Sequence, residues 1–140
     1  MSPAFNIHFA TSDLDIEQVR DLRRSVLCGE FHWPRELVED PVDRSSILAL
    51  ATLGPKPVGC ARLCQRGSTW HIEVLAVLER QRGQGLGKAI LATLEGRARN
   101  AGASSLRVLC PPDLSPYFER QGYQGTEEAS VLEKDLGKRL

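Results

Sequence analysis

The sequence predicts a mixed α+β fold built on a mostly antiparallel central sheet, and three observations lead to that class. Three apolar segments, Ser46–Leu53, Pro57–Gln65 and Thr69–Leu78, follow one another with short connections, which is typical of an antiparallel meander. Helical periodicity precedes and follows these strands but does not separate them, so a repeating strand–helix–strand unit is not expected. A loop with three glycines in five residues then joins the third strand to a helix.

The other elements follow from apolar spacing and from residues that begin or end helices. Ser12, followed three residues later by Asp15, resembles a capping box ahead of an amphipathic helix. Gly102 and Gly122 are suited to end two later helices. Besides the meander, the predicted elements are a strand at Phe5–Ala10, a helix from Ser12 to about Leu27, a short helix over Arg35–Glu39, a helix at Leu86–Ala101, a strand at Ser105–Cys110, a helix at Leu114–Gln121 and a hairpin at Tyr123–Leu136.

Length and composition favour one globular domain over residues 1–140. Apolar residues make up 41% of the chain and charged residues 26%, which is ordinary for a globular protein. The 18 basic and 18 acidic side chains balance to a formal net charge of zero, which argues against a nucleic-acid partner. No apolar run approaches the roughly 20 residues that span a bilayer, so no membrane partner is expected.

The four cysteines predict neither a metal site nor a disulfide framework. Cys28, Cys60, Cys64 and Cys110 form no C-x-x-C pair, and the spacing of Cys60 and Cys64 lacks a second ligand pair nearby. The first residues also lack the charged and apolar regions of a signal peptide. We therefore expect free thiols in a reducing cytoplasm and no bound metal.

The glycine-rich loop has the composition of an anion site. Its residues are Gln81-Arg82-Gly83-Gln84-Gly85-Leu86-Gly87, followed by Lys88. Glycines allow a tight turn that brings several backbone N–H groups together. The first N–H groups of the helix that follows have no internal partners, and the helix dipole places partial positive charge there. We therefore expect this loop to hold a phosphate group.

The motif around the loop narrows the choice of phosphate ligand. Neither G-x-G-x-x-G nor G-x-x-x-x-G-K-[ST] is present, which argues against a dinucleotide fold and an NTPase. Arg82 to Gly87 reads R-x-x-G-x-G, and Pro116-Tyr117-Phe118-Glu119-Arg120-Gln121-Gly122-Tyr123 follows further on. With these two motifs the chain, over about Val19–Leu136, resembles the GNAT superfamily of acyl-CoA-dependent N-acyltransferases. Upstream, Leu22-Arg23-Arg24-Ser25-Val26-Leu27 with Glu30 and Pro34 resembles the short stand-alone bacterial members of that superfamily.

The resemblance implies a fold and a coenzyme. In that family coenzyme A binds between two neighbouring parallel strands that splay apart, here expected at Thr69–Leu78 and Ser105–Cys110, with helices flanking the sheet. The pantetheine amides complete the unpaired strand backbone. The cosubstrate is expected to be acetyl-CoA. The residues expected to contact it are Leu75, Ala76 and Val77 along the pantetheine arm, and Arg82, Gly83, Gln84, Gly85, Leu86, Gly87 and Lys88 at the pyrophosphate.

The transfer chemistry needs a group that takes a proton from the amine. Residues two apart share a face of a strand, so His71 and Glu73 are neighbours on the strand that carries Leu75 and Val77. The resemblance makes Glu73 the first and His71 the second candidate for the general base, acting directly or through water. The alternative is that they face solvent or pair with a structural partner such as Arg62.

The general acid is a weaker prediction. The family's usual tyrosine position is occupied by Phe118, and Tyr117 stands one residue earlier, about 100° around the helix. Either Tyr117 reaches the departing thiolate or no protein acid is needed. A covalent mechanism through Cys110 finds no Cys-His pair to support it. Glu30, His32 and Trp33 fall where the family's early helices cover the acceptor pocket.

Three functions are compatible with these features. The first is an acetyl-CoA-dependent N-acetyltransferase that acts on a primary amine, either a small molecule or a peptide or protein amine. The second is a CoA-binding sensor or regulatory module with the same fold and no turnover. The third, a phosphate-binding protein of another fold, would make the late aromatic motif a coincidence. The sequence leaves a homodimer open.

Overall fold

A computed structural model describes residues 5–38, 41–110 and 114–137, which form a seven-stranded sheet with helices on both faces. The sheet order is β1-β2-β3-β4-β5-β7-β6, and every described pair is antiparallel except β4 with β5. The strands are β1 (Asn6–Phe9), β2 (Ile47–Leu53), β3 (Lys56–Arg66), β4 (Thr69–Val77), β5 (Ser105–Leu109), β6 (Gln124–Gly125) and β7 (Val131–Asp135). The helices are α1 (Asp13–Arg23), α2 (Leu86–Asn100) and α3 (Ser115–Arg120). The predicted α+β class is confirmed.

The first helical region begins as predicted and ends differently. Ser12 accepts a hydrogen bond from the backbone N–H of Asp15 at 3.0 Å, as a capping residue does. After α1 the chain continues as a π-helical segment, Arg24–Glu30, in which Phe31 N–H donates to the carbonyl five residues earlier at 3.1 Å. The helical region therefore runs past the predicted end at Leu27. Such wide turns cannot be read from apolar spacing and are frequent at functional sites.

The second predicted helix is only a short turn. A 3₁₀ turn covers Arg35–Leu37, and Glu39, the end of the predicted helix, lies outside the described residues. A second 3₁₀ turn, Pro41–Ser45, was not predicted. In the described residues no helix has the length and apolar character needed to cross a bilayer.

The two faces of the sheet carry separate cores. Helices α2 and α3 cover one face with buried residues such as Ile90, Leu94 and Phe118, and this is the larger core. Helix α1 and the π-helical segment cover the other face through Val19, Leu27 and their neighbours.

A buried ionic cluster lies between α1 and the sheet. Arg23 from α1, Asp43 from the second 3₁₀ turn and Arg62 from β3 are 0%, 2% and 3% exposed. The Asp43 carboxylate accepts from Arg23 Nη1 at 2.8 and 2.9 Å and from Arg62 Nη1 at 3.0 Å. Arg20 adds a partly buried contact at 3.3 Å. Asp43 is therefore the common anion of the arginines that join helix to sheet.

The environment of Asp43 keeps it ionised. Burial alone would raise the pKa of this carboxyl, but hydrogen bonds and positive charge from Arg23 and Arg62 outweigh burial and lower it. A carboxyl group with a lowered folded-state pKa stabilises the fold at pH values above its unfolded pKa of about 3.9. That contribution is lost as the pH falls through the lower, folded-state value.

We predict that Asp43→Asn lowers the free energy of unfolding by about 3–5 kcal/mol at pH 7, because it leaves buried arginines without their anion. Urea unfolding measures the change. Asp21→Asn, which removes an exposed ion pair to Arg24, is the control and should cost less than about 1 kcal/mol. The difference between wild type and Asp43→Asn should shrink as the pH falls below about 4. Equal losses for the two variants would contradict the role of Asp43.

Candidate active site

A β-bulge interrupts β4 beside the site. Two residues, Val74 and Leu75, face the single residue Ala61 of β3, because the register shifts between the flanking pairs. Val74 has φ of 49°, in the left-handed region that a β-branched residue rarely adopts. Backbone in this region costs about 1–3 kcal/mol and is concentrated at functional sites.

The bulge changes which face of the sheet each side chain of β4 occupies. His71 and Glu73 pair with Cys64 and Arg62 on the α1 face, as residues two apart should. In a regular strand, side chains alternate between the two faces, so Leu75 would share the face of His71 and Glu73. Because of the extra residue, Leu75 instead packs with the core on the α2 face. The Glu73 carboxylate and the Leu75 side chain therefore lie on opposite faces of the sheet.

Strands β4 and β5 pair over a very short length and then separate. Their parallel ladder consists of His71 with Arg107 and Ile72 with Val108. A cavity of about 310 Å³, named here the gap cavity, opens next to these pairs. This arrangement confirms the expected pair of splayed parallel strands. The described residues that line the cavity are Leu27, Phe31, Trp33, Ile72, Glu73, Val74, Leu75, Val108, Leu109, Leu114 and Phe118.

The glycine-rich loop borders a second cavity of about 540 Å³, named here the loop cavity. Gly83 and Gly85 have φ of 77° and 81°, and a Cβ built on either would meet no atom within 4 Å. Helix α2 begins directly after Gly85 and has no side-chain cap. The N–H groups of its first turn therefore have no capping side chain and can accept an anion instead.

Most of the residues predicted to contact the coenzyme lie on this second cavity. Ala76 and Gln84 are the exceptions: Ala76 is buried on the α1 face, and the Gln84 side chain donates to the carbonyl of Arg80 at 3.3 Å. Arg120 adds a cation that the sequence did not predict. The predicted residues that line the loop cavity are Leu75, Val77, Arg82, Gly83, Gly85, Leu86, Gly87 and Lys88.

Arg82 joins the loop to the π-helical segment. Its two terminal nitrogens donate to the two carboxylate oxygens of Glu30 at 2.6 and 2.7 Å, and its Nε donates to the carbonyl of Val77 at 3.0 Å. The guanidinium also lies over the Phe31 ring, 5.4 Å from the centroid. The hydrogen bond from Arg82 lowers the pKa of Glu30. Glu30, predicted to cover the acceptor pocket, therefore holds the arginine of the loop.

Glu73 lies on the wall of the gap cavity and is held by two arginines. Its Oε1 accepts from Arg62 Nη2 at 2.6 Å, from Arg66 Nη2 at 3.2 Å and from the Cys64 thiol at 3.2 Å. The only described contact of Oε2 is Arg66 Nη2 at 3.4 Å. Burial would raise the pKa of Glu73, but hydrogen bonds from Arg62, Arg66 and Cys64 lower it. Glu73 is thus an ionised carboxylate whose Oε2 has fewer hydrogen-bond partners than Oε1.

His71 lies outside both cavities. It pairs with Cys64 across the sheet and with Arg107 of β5, at the closed end of the gap. Burial lowers the pKa of His71, so the neutral imidazole is favoured at neutral pH. The structure therefore brings Glu73, but not His71, to a cavity wall.

Tyr117 and Phe118 occupy different places on the cavities. Tyr117 lines the loop cavity, and a Cβ built on Gly87 would collide with its hydroxyl. Phe118 is 4% exposed and lines both cavities, and its ring meets that of Tyr117 edge-on at 5.3 Å. Burial raises the pKa of Tyr117, which keeps the hydroxyl protonated. An apolar ring, and not a hydroxyl, lies where the cavities meet.

The remaining candidate residues lie on a cavity wall, at the surface or in the core. Trp33 lines the gap cavity, whereas His32 is exposed and lines neither cavity. Cys110 is 1% exposed, also lines neither, and burial raises the pKa of its thiol. Sequence reasoning missed Leu109 and Leu114 on the wall, because nothing local distinguishes these leucines from core residues. The described residues hold no group of three or more His, Cys, Asp or Glu side chains that could bind a metal.

The comparisons with known proteins agree with this geometry. A model of the acetyltransferase (GNAT) family matches residues 15–123. The uncharacterized N-acetyltransferase YjcF of Bacillus subtilis is 28% identical over 123 residues, which cover 86% of this chain and 88% of that protein. Two solved structures that share the fold contain the coenzyme.

PaiA N-acetyltransferase of Thermoplasma acidophilum, in complex with coenzyme A, has a TM-score of 0.77 at 14% identity, over 94% of this chain and 99% of its own. A GNAT family acetyltransferase of Brucella melitensis, in complex with acetyl-CoA, has a TM-score of 0.78 at 15% identity, over 99% of this chain and 92% of its own. The family model covers well over half of the sequence, and the splayed strands and glycine loop lie inside the matched region. The chain therefore belongs to the GNAT family of acetyltransferases.

Proposed function

We propose that this protein is an N-acetyltransferase that moves the acetyl group of acetyl-CoA to a primary amine by direct attack of the amine on the thioester. The observation that carries the proposal is the connection between the two cavities. The loop cavity has the features of a phosphate site, the gap cavity has a carboxylate, and the two share four wall residues: Phe31, Leu75, Leu114 and Phe118. The two structural neighbours bind coenzyme A and acetyl-CoA, which supports the same coenzyme for this chain.

The loop fits the pyrophosphate of coenzyme A. The open space at Gly83 and Gly85 leaves room for phosphate oxygens to reach the amides at the start of α2. Lys88 and Arg120 supply positive charge beside them, and Arg82 lies on the same wall in its pair with Glu30. The pantetheine arm then runs from the loop cavity toward the gap, along Leu75, Ala76 and Val77, where its amides hydrogen-bond to strand backbone.

Glu73 is the proposed proton acceptor for the amine. Its carboxylate attracts an ammonium ion, and Oε2 is the oxygen with room to accept a hydrogen bond from the amine or from a water. A carboxylate with a lowered pKa is a weak base. The ammonium first loses one proton to water, which frees the lone pair that attacks the carbonyl carbon. The attacking nitrogen then becomes strongly acidic, and Glu73 takes its second proton at that stage. The C–S bond then breaks and the thiolate leaves.

His71 and Tyr117 have secondary places in this proposal. His71 lines neither cavity, so it takes part only through a chain of water molecules from Glu73. Tyr117 is protonated, as a general acid must be, but its hydroxyl lies beside Gly87 of the loop. Water protonates the thiolate unless the coenzyme sulfur lies at that end of the loop cavity.

A CoA-binding module without turnover is the second candidate function. Two observations favour it. Phe118 stands where the family usually has a tyrosine, and Arg62 and Arg66 both form ion pairs with Glu73. Such a module differs from the enzyme in one respect: it binds the coenzyme but does not consume the thioester.

Release of free thiol from acetyl-CoA is the direct test. With saturating acetyl-CoA and a panel of primary amines, the enzyme should release thiol in proportion to the N-acetyl product, measured by a thiol reagent and by mass spectrometry. Heat-denatured protein is the control. Binding of coenzyme A with no amine-dependent thiol release would favour the sensor module.

We predict that Gly85→Ala lowers the affinity for coenzyme A at least tenfold, measured by calorimetry. The methyl group strains a backbone with φ of 81° and occupies space that the pyrophosphate needs. Gly67→Ala is a matched control: its φ is 65°, its Cβ also meets no atom within 4 Å, and it lies in the turn between β3 and β4. Equal effects of the two variants would contradict the assignment of the loop.

We predict that Glu73→Gln lowers kcat at least tenfold and leaves the affinity for coenzyme A unchanged, since proton transfer contributes about 10²–10⁴ to a rate. Glu133→Gln, which alters a strand glutamate paired with Arg107 at the surface, should retain full activity. Unchanged turnover in Glu73→Gln would remove Glu73 from the mechanism.

Arg66→Met tests the same role through the pH dependence. Arg66 lowers the pKa of Glu73, so its removal raises that pKa and moves the acid limb of the kcat profile to higher pH. Arg97→Met, which removes a surface contact with Phe9, should leave the profile in place.

A further inference from the structure

The gap cavity has an apolar wall with one charge. Glu73 is the only ionisable side chain among its described wall residues, and Phe31, Trp33 and Phe118 contribute aromatic rings. Arg62 and Arg66, which contact Glu73, direct their positive charge to the Glu73 and Asp43 carboxylates and do not line this cavity. Arg82 lies over the ring of the wall residue Phe31 but pairs with Glu30, and it does not line this cavity either.

The mouth of this cavity exposes apolar surface to solvent. Of the five large apolar side chains that the described residues expose, Phe31, Leu109 and Leu114 line the gap cavity, with exposed fractions of 48%, 61% and 41%. Scattered apolar residues are ordinary, but clustered ones around a concave site indicate a ligand. The cavity volume of about 310 Å³ is at the small end of ligand sites, and the end of the pantetheine arm takes part of it. The space left for the acceptor therefore suits a small molecule better than a chain segment.

We infer that the acceptor is a small primary amine carried on an apolar, aromatic-sized body and lacking a carboxylate. This inference rests on the proposed acetyltransferase function. The ammonium meets Glu73, while the body packs on Phe31, Trp33 and Leu109. An amino-acid carboxylate would be buried against apolar side chains with no cation on the described wall, which is costly. A polyamine or amino alcohol would leave the apolar wall uncovered.

The test compares four amines in the thiol-release assay: 2-phenylethylamine, phenylalanine, ethanolamine and the peptide Phe-Gly-Gly. Phenylalanine adds a carboxylate to the same body, ethanolamine lacks the body, and the peptide presents the same amine on a chain. We expect kcat/KM for 2-phenylethylamine to be at least tenfold above each of the others. A higher value for any other amine overturns the inference and leaves the acetyltransferase function intact. Absence of thiol release with all four, when another amine of the panel does release thiol, overturns the inference alone. Absence with every amine of the panel overturns both.

A pair of exposed-leucine variants tests the wall itself. Leu109→Lys should lower kcat/KM for 2-phenylethylamine at least fivefold, because it removes apolar wall and repels the ammonium. Leu14→Lys is the matched control, since Leu14 is 69% exposed on α1 and lines neither cavity, and it should leave kcat/KM unchanged. Coenzyme affinity measured on both variants reports whether the loop cavity is intact. Equal kcat/KM in the two variants would contradict the inference.

Discussion

The early separation of β4 from β5 is the constraint on which the site depends. Two parallel strands that remained paired would close the sheet, and neither cavity could cross it. The bulge at Val74 turns β4 out of register with β3 just beyond its two pairs with β5. The strained backbone of Val74 is the local cost, and buried packing on both faces of the sheet holds it in place.

The buried ionic cluster connects this backbone to the chemistry. Asp43 holds Arg62, and Arg62 in turn holds the carboxylate of Glu73 at the wall of the gap cavity. The same arginine thus supports the packing of α1 and, with Arg66 and Cys64, lowers the pKa of the proposed base. A carboxylate fixed in this way stays ionised and has one defined orientation, which suits a group that must receive a cationic amine. The stability of the fold and the proposed activity therefore depend on shared contacts on this face.

Local signals predicted the loop and the order of elements, and long-range contacts account for the differences. Glycines at positive φ and the start of α2 are properties of neighbouring residues, so the glycine-rich turn into α2 could be read from the sequence. The bulge has no such signal, because Val74 is a residue that favours regular strands. The partners of Glu73 depend on the register of β3 against β4; the sequence raised Arg62 as one alternative but could not supply Arg66 or Asp43. Leucines at the cavity mouth look like core residues until the strands are known to separate.

The central claim is that the main-chain amides of residues 82–88 hold the diphosphate of coenzyme A. Titration of ¹⁵N-labelled protein with coenzyme A, followed through its amide resonances, tests this most directly. We expect the largest chemical-shift changes at the amides of the loop and of the start of α2, with smaller changes along β4. The amides concerned are those of Gly83, Gly85, Leu86, Gly87 and Lys88. Saturable changes confined to another surface, with these loop amides unmoved, would contradict it.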